Sequence, residues 1–169
     1  MLNFDIGIHL DVINTETLAE GNGVDLGNLI SSTSSLYVKS YGALATPTFR
    51  GTSSSHTLVL WNGIAINSLA NGLSDLSGIY CHNYKDIYIV RGGDASIFGS
   101  GAVGGSIHLN TEFDEKNEII FSNTKGSYGL SSQAIDFSFK NKNLIASGGL
   151  HYLNHINNKT FVFFELFGE

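Results

Sequence analysis

The sequence predicts a mainly β protein, in which a small mixed four-stranded sheet with short helices is followed by an antiparallel β-meander. Glycine is abundant, with 20 of 169 residues, proline occurs once, and only 14% of residues are charged, against about 25% in typical domains. Several segments alternate apolar and polar residues, as strands with one buried face do. Glycine-rich segments give way to longer alternating runs near residues 111–113, so we expect two domains, 1–112 and 113–169.

Short strands and two short helices are predicted in the first domain. Thr15 and Asp25 precede the helices, and both are residue types that cap helix N-termini. Asn62-Gly63 is a strong signal for a tight hairpin turn. The expected elements are a strand at 3–13, helices at 15–20 and 26–31, a strand at 36–40, an extended piece at 47–51, a hairpin at 57–67 and a loop at 68–78.

A glycine-rich segment, residues 86–111, is the centre of the first domain. Residues 87–90 and 106–111 are rich in β-branched and apolar residues and are predicted strands. We expect a tightly packed, irregular turn between them, because glycine permits positive φ and close backbone approach. The candidate residues for turns and close packing are Asn62, Gly63, Gly92, Gly93, Gly99, Gly101, Gly104 and Gly105.

The same segment contains the spacing G-x-G-x-x-G at residues 99–104. Dinucleotide binding needs a helix after these glycines, so a nucleotide-using enzyme is favoured only if residues 102–108 are helical. His151 and His155 have the spacing of zinc ligands on a helix, but they lie in predicted strand or loop. We therefore predict no catalytic residues, no metal site and no cofactor.

Charge and hydropathy exclude two further classes. The net charge of −6 argues against nucleic-acid binding, which normally uses a basic surface. No apolar run approaches the ~18 residues that a membrane helix needs, and the N-terminus lacks the pattern of a signal peptide. The two arginines, Arg50 and Arg91, both precede glycine.

The second domain is a predicted antiparallel meander of segments 118–125, 133–140 and 144–152. Segments near ten residues with one apolar face match outer-membrane barrel strands. A soluble sheet with one solvated face has the same alternation, so periodicity alone leaves both open. The tail, residues 160–169, breaks the alternation, and we expect it to pair with a missing segment or to be an unnatural terminus.

Four motifs follow one another in the first domain: TFRG at 48–51, TLVLWNG at 57–63, DIYIVRGG at 86–93 and SIFGSGAVGGSI at 96–107. In this order they resemble the plug domain of TonB-dependent outer-membrane receptors. The resemblance covers about residues 4–111, with Leu-Trp-Asn-Gly in place of the family's commoner Ile-Asp-Gly turn. It implies a small sheet with short helices inside a barrel of about 22 strands, in a receptor that imports metal chelates, cobalamin, peptides or glycans.

The resemblance also implies partners and site residues. The inner-membrane TonB complex would pull on an N-terminal contact segment, which is not visible in this chain. Arginines matching Arg50 and Arg91 pair with glutamates of the barrel wall, so both are expected to dock the plug. Apical loops around 42–47 and 68–74 are expected to contact ligand. The candidate ligand-loop residues are Gly42, Ala43, Leu44, Ser68, Asn71 and Ser74.

We interpret the chain as a plug plus the first strands of a truncated barrel, because three strands cannot close a barrel in lipid. It would be a transport component of a Gram-negative outer membrane and not an enzyme, and it is expected to be transport-incompetent as it stands. Its expected partners are the TonB complex, the rest of the barrel, the outer membrane and a large small-molecule or oligomeric ligand. The alternative is a small soluble β-rich binding module of the periplasm or cell surface.

Overall fold

The computed structural model describes residues 9–20, 24–42, 44–49, 51–81, 84–92, 95–111, 117–141, 144–154 and 161–168. The chain divides into two compact units, Met1–Thr111 and Glu112–Glu169. This division falls one residue before the predicted domain boundary. Among the described residues, no helix combines the length and the apolar character required to cross a membrane.

The first unit is built from short elements. In chain order they are β1 (His9–Ile13), α1 (Thr15–Glu20), α2 (Leu26–Thr33), β2 (Tyr37–Tyr41), β3 (Leu44–Thr48), β4 (Thr57–Trp61), β5 (Ile64–Ala65), β6 (Asp86–Arg91), α3 (Ala95–Phe98) and β7 (Gly105–Asn110). Single turns of 3₁₀ helix lie at Ser54–His56, Leu76–Gly78 and Ser100–Ala102.

A mixed sheet in the order β1-β6-β7-β4-β5 forms the centre of this unit. Strands β4 and β7 are parallel, and the other neighbours are antiparallel. The predicted mixed sheet is therefore confirmed. It has five strands rather than four, because the two residues of β5 add an edge strand.

Both faces of the central strands are covered, which explains why β4, β6 and β7 are rich in β-branched and aliphatic residues. On one face, Val59 and Ile89 belong to a core that includes Leu26 and Ile30 of α2. Successive strand residues point to opposite faces, so Leu58 lies on the other side, in a cluster with Ala102 of the glycine-rich segment.

The starts of the two helices differ in how well the sequence predicted them. Asp25 caps α2 as expected, since its Oδ1 accepts a hydrogen bond from Asn28 N at 2.9 Å, and the helix runs two residues further than predicted. The predicted cap of α1 at Thr15 is wrong. Asn14 Oδ1 accepts from Thr17 N at 3.1 Å, whereas Thr15 Oγ1 donates to the carbonyl of Lys85.

Strand β3 (Leu44–Thr48) begins three residues before the extended piece predicted at 47–51, and it ends at Thr48. It pairs with β2 from Tyr37↔Thr48 to Tyr41↔Leu44, so the predicted strand 36–40 is shifted by one residue. Pro47, which has no N–H to donate, lies opposite Val38 in this two-stranded ribbon. The predicted loop at 42–47 is therefore wrong from Leu44 onward.

The glycine-rich segment contains the one-turn helix α3 and a 3₁₀ turn, and it ends in β7. A helix over 102–108, which dinucleotide binding would require, is not formed, because Gly105–Asn110 is a strand. The backbone N–H groups of β7 are thus used in sheet pairing with β4 and β6, and they do not converge on a phosphate site.

The second unit is an antiparallel meander, as predicted. Its strands are β8 (Glu118–Lys125), β9 (Ser131–Asn141), β10 (Leu144–Asn154) and β11 (Phe161–Gly168), in the order β11-β10-β9-β8. The tail forms an additional strand, β11, which pairs with β10 inside this chain from Leu153↔Phe161 to Ala146↔Gly168. Pairing of the tail with a missing segment, or an unnatural terminus, stays a prediction.

Candidate functional site

Arg91, at the end of β6, is paired within the first unit. Its Nη2 donates to Asp11 Oδ2 and to Ser35 Oγ, and the guanidinium and the Asp11 carboxylate form an ion pair. The sheet register places His9 opposite Arg91, so Asp11 is its diagonal neighbour on the same face. The two side chains are 19% and 27% exposed, which strengthens the pair relative to a fully solvated one.

A cavity of about 440 Å³ lies beside Arg91. Arg91 and Lys39 are cationic members of its lining, which includes no acidic side chain among the described residues. Arg91 Nε is buried and has no hydrogen-bond partner in the part of the chain that the structure describes. The cavity therefore suits an anionic group. Its lining residues are Ser35, Leu36, Tyr37, Lys39, Thr48, Phe49, Gly51, Thr52 and Arg91.

Gly104 and Gly105 lie where the surrounding atoms leave no room for a side chain. A Cβ on Gly104 would lie 2.6 Å from Thr52 Oγ1 and 2.9 Å from the carbonyl oxygen of His56. A Cβ on Gly105 would meet the Val90 carbonyl oxygen and lie 2.9 Å from Phe49 Cε2. These close approaches all lie within the first unit, so the expected contact of the glycines with a barrel wall stays a prediction.

The other described glycines of this segment serve a different need. Gly92 and Gly99 have φ of 69° and 84°, and a Cβ at either would meet nothing within 4 Å among the described residues. Their requirement is conformational rather than steric. Gly101 has neither constraint, since a Cβ there would make only an ordinary contact of 3.6 Å with Leu58 Cδ1.

The Asn62-Gly63 turn joins β4 to β5 with φ of 46° and 84°. The Asn62 side chain also holds the chain where it leaves β7. Its Oδ1 accepts from Thr111 N at 2.9 Å, and its Nδ2 donates to Thr111 Oγ1. The sequence predicted the turn, but it did not predict the hydrogen bonds between Asn62 and Thr111, which are 49 residues apart.

The candidate ligand-loop residues have different environments. Ser68 and Asn71 are exposed in the loop after β5, and Gly42 forms the β2–β3 turn with φ of 61°. Leu44 lies in β3 and is half-exposed. Ser74 is buried, at 5% exposure, so it does not present its side chain to solvent as Ser68 and Asn71 do, and its ligand contact stays a prediction. Ala43, Arg50 and Gly93 lie outside the described residues.

Sequence reasoning missed two hydrogen-bonding residues that flank the 68–74 loop. The Asp75 Oδ1 accepts from Ala45 N and Ser77 N, each at 3.0 Å. Burial opposes ionisation of Asp75, but these hydrogen bonds outweigh it and lower the pKa of the carboxyl group. At the start of the loop, Asn67 Nδ2 donates a hydrogen bond to the carbonyl of Gly72 at 2.8 Å. The sequence feature that could have identified both residues is the preference of Asn and Asp side chains for hydrogen bonding to the backbone of turns.

Cys81 does not contribute reactive chemistry. It is buried, and its Sγ donates to the carbonyl of Val24. Burial, and next the nearby charge of Asp25, raises the pKa of the thiol to about 12. The thiol is therefore protonated at neutral pH, whereas a nucleophilic cysteine must reach the thiolate.

Fold and site together define a class of protein. It is a small mixed α+β domain with a paired arginine beside a cavity lined by cationic side chains, in a chain that continues as long antiparallel strands. A family model described as the TonB-dependent Receptor Plug Domain matches residues 3–106. The match covers more than half of the chain, and the chain belongs to this family, whose members are transport receptors.

Curated relatives include two proteins named Vitamin B12 transporter BtuB. The one from Vibrio vulnificus is 46% identical over 70 residues, which is 41% of this chain and 11% of the relative. The one from Photobacterium profundum is 27% identical over 150 residues, 68% of this chain and 25% of the relative. The chain thus spans a quarter or less of the length of these relatives.

Two solved structures share the fold. The siderophore receptor PiuA from Acinetobacter baumannii has a TM-score of 0.68 at 18% identity, covering 87% of this chain and 21% of the receptor. The ferric yersiniabactin uptake receptor FyuA from Yersinia pestis has a TM-score of 0.69 at 18% identity, covering 87% and 24%. At this identity the likeness shows the fold alone.

Proposed function

We propose that this chain is the plug-bearing part of an outer-membrane receptor that gates TonB-energised uptake of a scarce, large ligand. The single observation that carries the proposal is the plug-family match over residues 3–106. Relatives are named for vitamin B12 and for siderophores, so the proposed ligand is a cobalamin or a ferric siderophore. The proposed location is the outer membrane of a Gram-negative bacterium.

The surface of the meander supports a membrane location. Ile119, Phe121 and Phe137 are exposed, and Ile119 lies directly opposite Phe137 in the β8–β9 register. On the opposite face, Ala134 and His151 are buried and directly opposite each other. Exposed aliphatic and aromatic side chains along one face suit contact with lipid, whereas a soluble sheet presents polar side chains to water.

Arg91 supports the proposed docking of the plug, a role that we also assign to Arg50. A plug has to be held in its barrel and yet be removable, and charge pairs do both, because they are strong in a dry site and weaken when water enters. Both described hydrogen bonds of Arg91 come from Nη2, while Nε is buried without a described partner. A carboxylate of the barrel wall, seated in the adjoining cavity, would complete this guanidinium.

The exposed loops of the first unit are the proposed ligand contacts. Gly42 at the β2–β3 turn and Ser68 and Asn71 after β5 are exposed, and binding residues concentrate on loops positioned by a rigid scaffold. Ligand bound outside and pulling by the TonB complex inside would bias the plug between a held and a displaced arrangement.

A chimera tests the proposal. Residues 1–111 replace the plug of the Vibrio vulnificus vitamin B12 transporter in cells that lack their own transporter, and the transporter's own N-terminal TonB-contact segment is kept ahead of them. We expect the chimera to exclude a bulky dye that enters through the barrel without a plug, and to import labelled cyanocobalamin only in cells that have TonB. Dye entry through the chimera, or uptake that is equal without TonB, would contradict the proposed function.

Variants of the chimera test the docking role of Arg91. Arg91→Gln is expected to admit dye, whereas Lys39→Gln, which removes the other described cation lining the same cavity, is expected to keep the seal. Asp11→Asn removes the carboxylate that Arg91 and His9 face within the first unit and leaves the Arg91 guanidinium in place. If Asp11→Asn leaks as much as Arg91→Gln, Arg91 acts within the plug alone and the docking role is wrong.

A further inference from the structure

The side chain of Asn67 makes three hydrogen bonds just beyond β5. Its Oδ1 accepts from Val59 N at 2.8 Å. Its Nδ2 donates to the carbonyl of Thr57 at 2.9 Å and to the carbonyl of Gly72 at 2.8 Å. All the main hydrogen-bonding capacity of this carboxamide is therefore directed at backbone groups.

Two of these bonds extend the sheet. The β4–β5 ladder pairs Leu60 with Ala65, and Ile66 N then donates to the carbonyl of Val59. Beyond that point the backbone leaves the sheet, and the Asn67 carboxamide takes the place that a peptide group of a longer β5 would occupy. It satisfies Val59 N–H and the Thr57 carbonyl, which would otherwise need other partners.

The third bond closes the loop that follows. Residues 68–73, which we call the Leu69 loop, are also closed by Ser68 N donating to the carbonyl of Leu73 and by Gly72 N donating to the carbonyl of Ser68, each at 2.8 Å. Leu69, near the tip, has a relative exposure of 106%. A fully exposed leucine on a loop with this many internal hydrogen bonds is presented outward by a fixed backbone.

We propose that Asn67 is a positioning residue for ligand binding: its carboxamide holds the Leu69 loop closed, so that Leu69 is presented as an apolar contact to the transported ligand. This inference rests on the proposed function. Binding to a loop that is already ordered avoids the entropy cost of fixing its backbone. Ile64 and Ile66, also exposed next to this loop, extend the same apolar surface.

Hydrogen exchange of the full chain in detergent micelles tests the positioning step without a ligand. Asn67→Ala is expected to speed exchange at least tenfold at the amides of Val59, Ser68 and Gly72, with β6 and β7 unchanged. Asn67→Asp keeps the acceptor for Val59 N–H but loses both donated bonds, so it should protect Val59 and release Gly72. Unchanged exchange in both variants would overturn the proposal.

Ligand affinity separates positioning from a merely structural role. Cyanocobalamin and ferric enterobactin serve as probes, titrated calorimetrically into the unaltered chain and its variants. We expect Asn67→Ala and Leu69→Ser to weaken binding about tenfold each and the double variant no further, since both act on one contact. Asn28→Ala, an asparagine remote in sequence at the start of α2, is the matched control and should bind normally.

The outcomes distinguish the two levels of inference. If the unaltered chain binds neither probe, the ligand role of Asn67 fails for these ligands, while the proposed function is decided separately by uptake through the chimera. If the unaltered chain binds a probe and Asn67→Ala binds it equally well, the proposed function stands and the positioning role is wrong. If Asn67→Ala weakens binding only in proportion to a loss of global stability, Asn67 is structural.

Discussion

Replacing Gly105 by alanine is expected to lower the free energy of unfolding by about 4 kcal/mol. The backbone there has φ of 151°, and strain of this kind costs about 2 kcal/mol for a residue with a Cβ. The added methyl group would also meet the Val90 carbonyl oxygen and lie 2.9 Å and 3.0 Å from two atoms of the Phe49 ring. Neither the paired strand β6 nor a buried ring can yield freely, and overpacking of this kind costs about a further 2 kcal/mol.

Urea unfolding of the full chain in detergent micelles measures this effect. Trp61 is the single tryptophan of the chain and packs against the main core, so its fluorescence reports on the first unit. Gly101→Ala is the matched control, because its Cβ would make only a 3.6 Å contact with Leu58 Cδ1. It should change stability by less than about 1 kcal/mol. Equal midpoints for the Gly105 and Gly101 variants would refute the steric reasoning.

Three further predictions concern the same unit. Asp25→Ala removes the N-cap of α2 and should lower the unfolding free energy by about 1 kcal/mol in the urea assay. A double-mutant cycle of Asp11→Asn and Arg91→Gln should give a coupling of about 1 kcal/mol that shrinks in high salt. The pKa of the Cys81 thiol is raised from 9.0 to about 12, so the unfolded chain loses this proton first. Stability should therefore fall as pH rises from 9 toward 12, and Cys81→Ala should reduce that slope.

Features set by a few neighbouring residues could be predicted from the sequence. The Asn62-Gly63 turn follows from the ease with which these two residue types adopt positive φ. The cap at Asp25 depends on a hydrogen bond across three residues. The strands β6 and β7 follow from their β-branched composition. In each case the determining interactions lie within the segment itself, so the local pattern contains the information.

Features set by distant partners could not be predicted in this way. The ion pair of Arg91 with Asp11 spans 80 residues and depends on the register of β1 against β6. The packing of Gly105, the first residue of β7, on Phe49, which follows β3, depends on how these distant segments come together. Strand β3 contains Pro47 and was predicted only in part, as an extended piece, because its pairing with β2, and not its propensity, makes it a strand.

The position of β7 has a consequence for how the first unit folds. Strand β7 lies between β6 and β4, and its pairing with β4 joins residues 48 apart, Thr57 to Gly105. The pairing of β1 with β6 joins residues 82 apart, His9 to Arg91. Such a high contact order slows folding, because long loops must close before the contacts form. Until β7 is synthesised, β1 and β6 can pair only with each other and β4 only with β5. Assembly of the sheet therefore waits for the last strand of the unit to emerge.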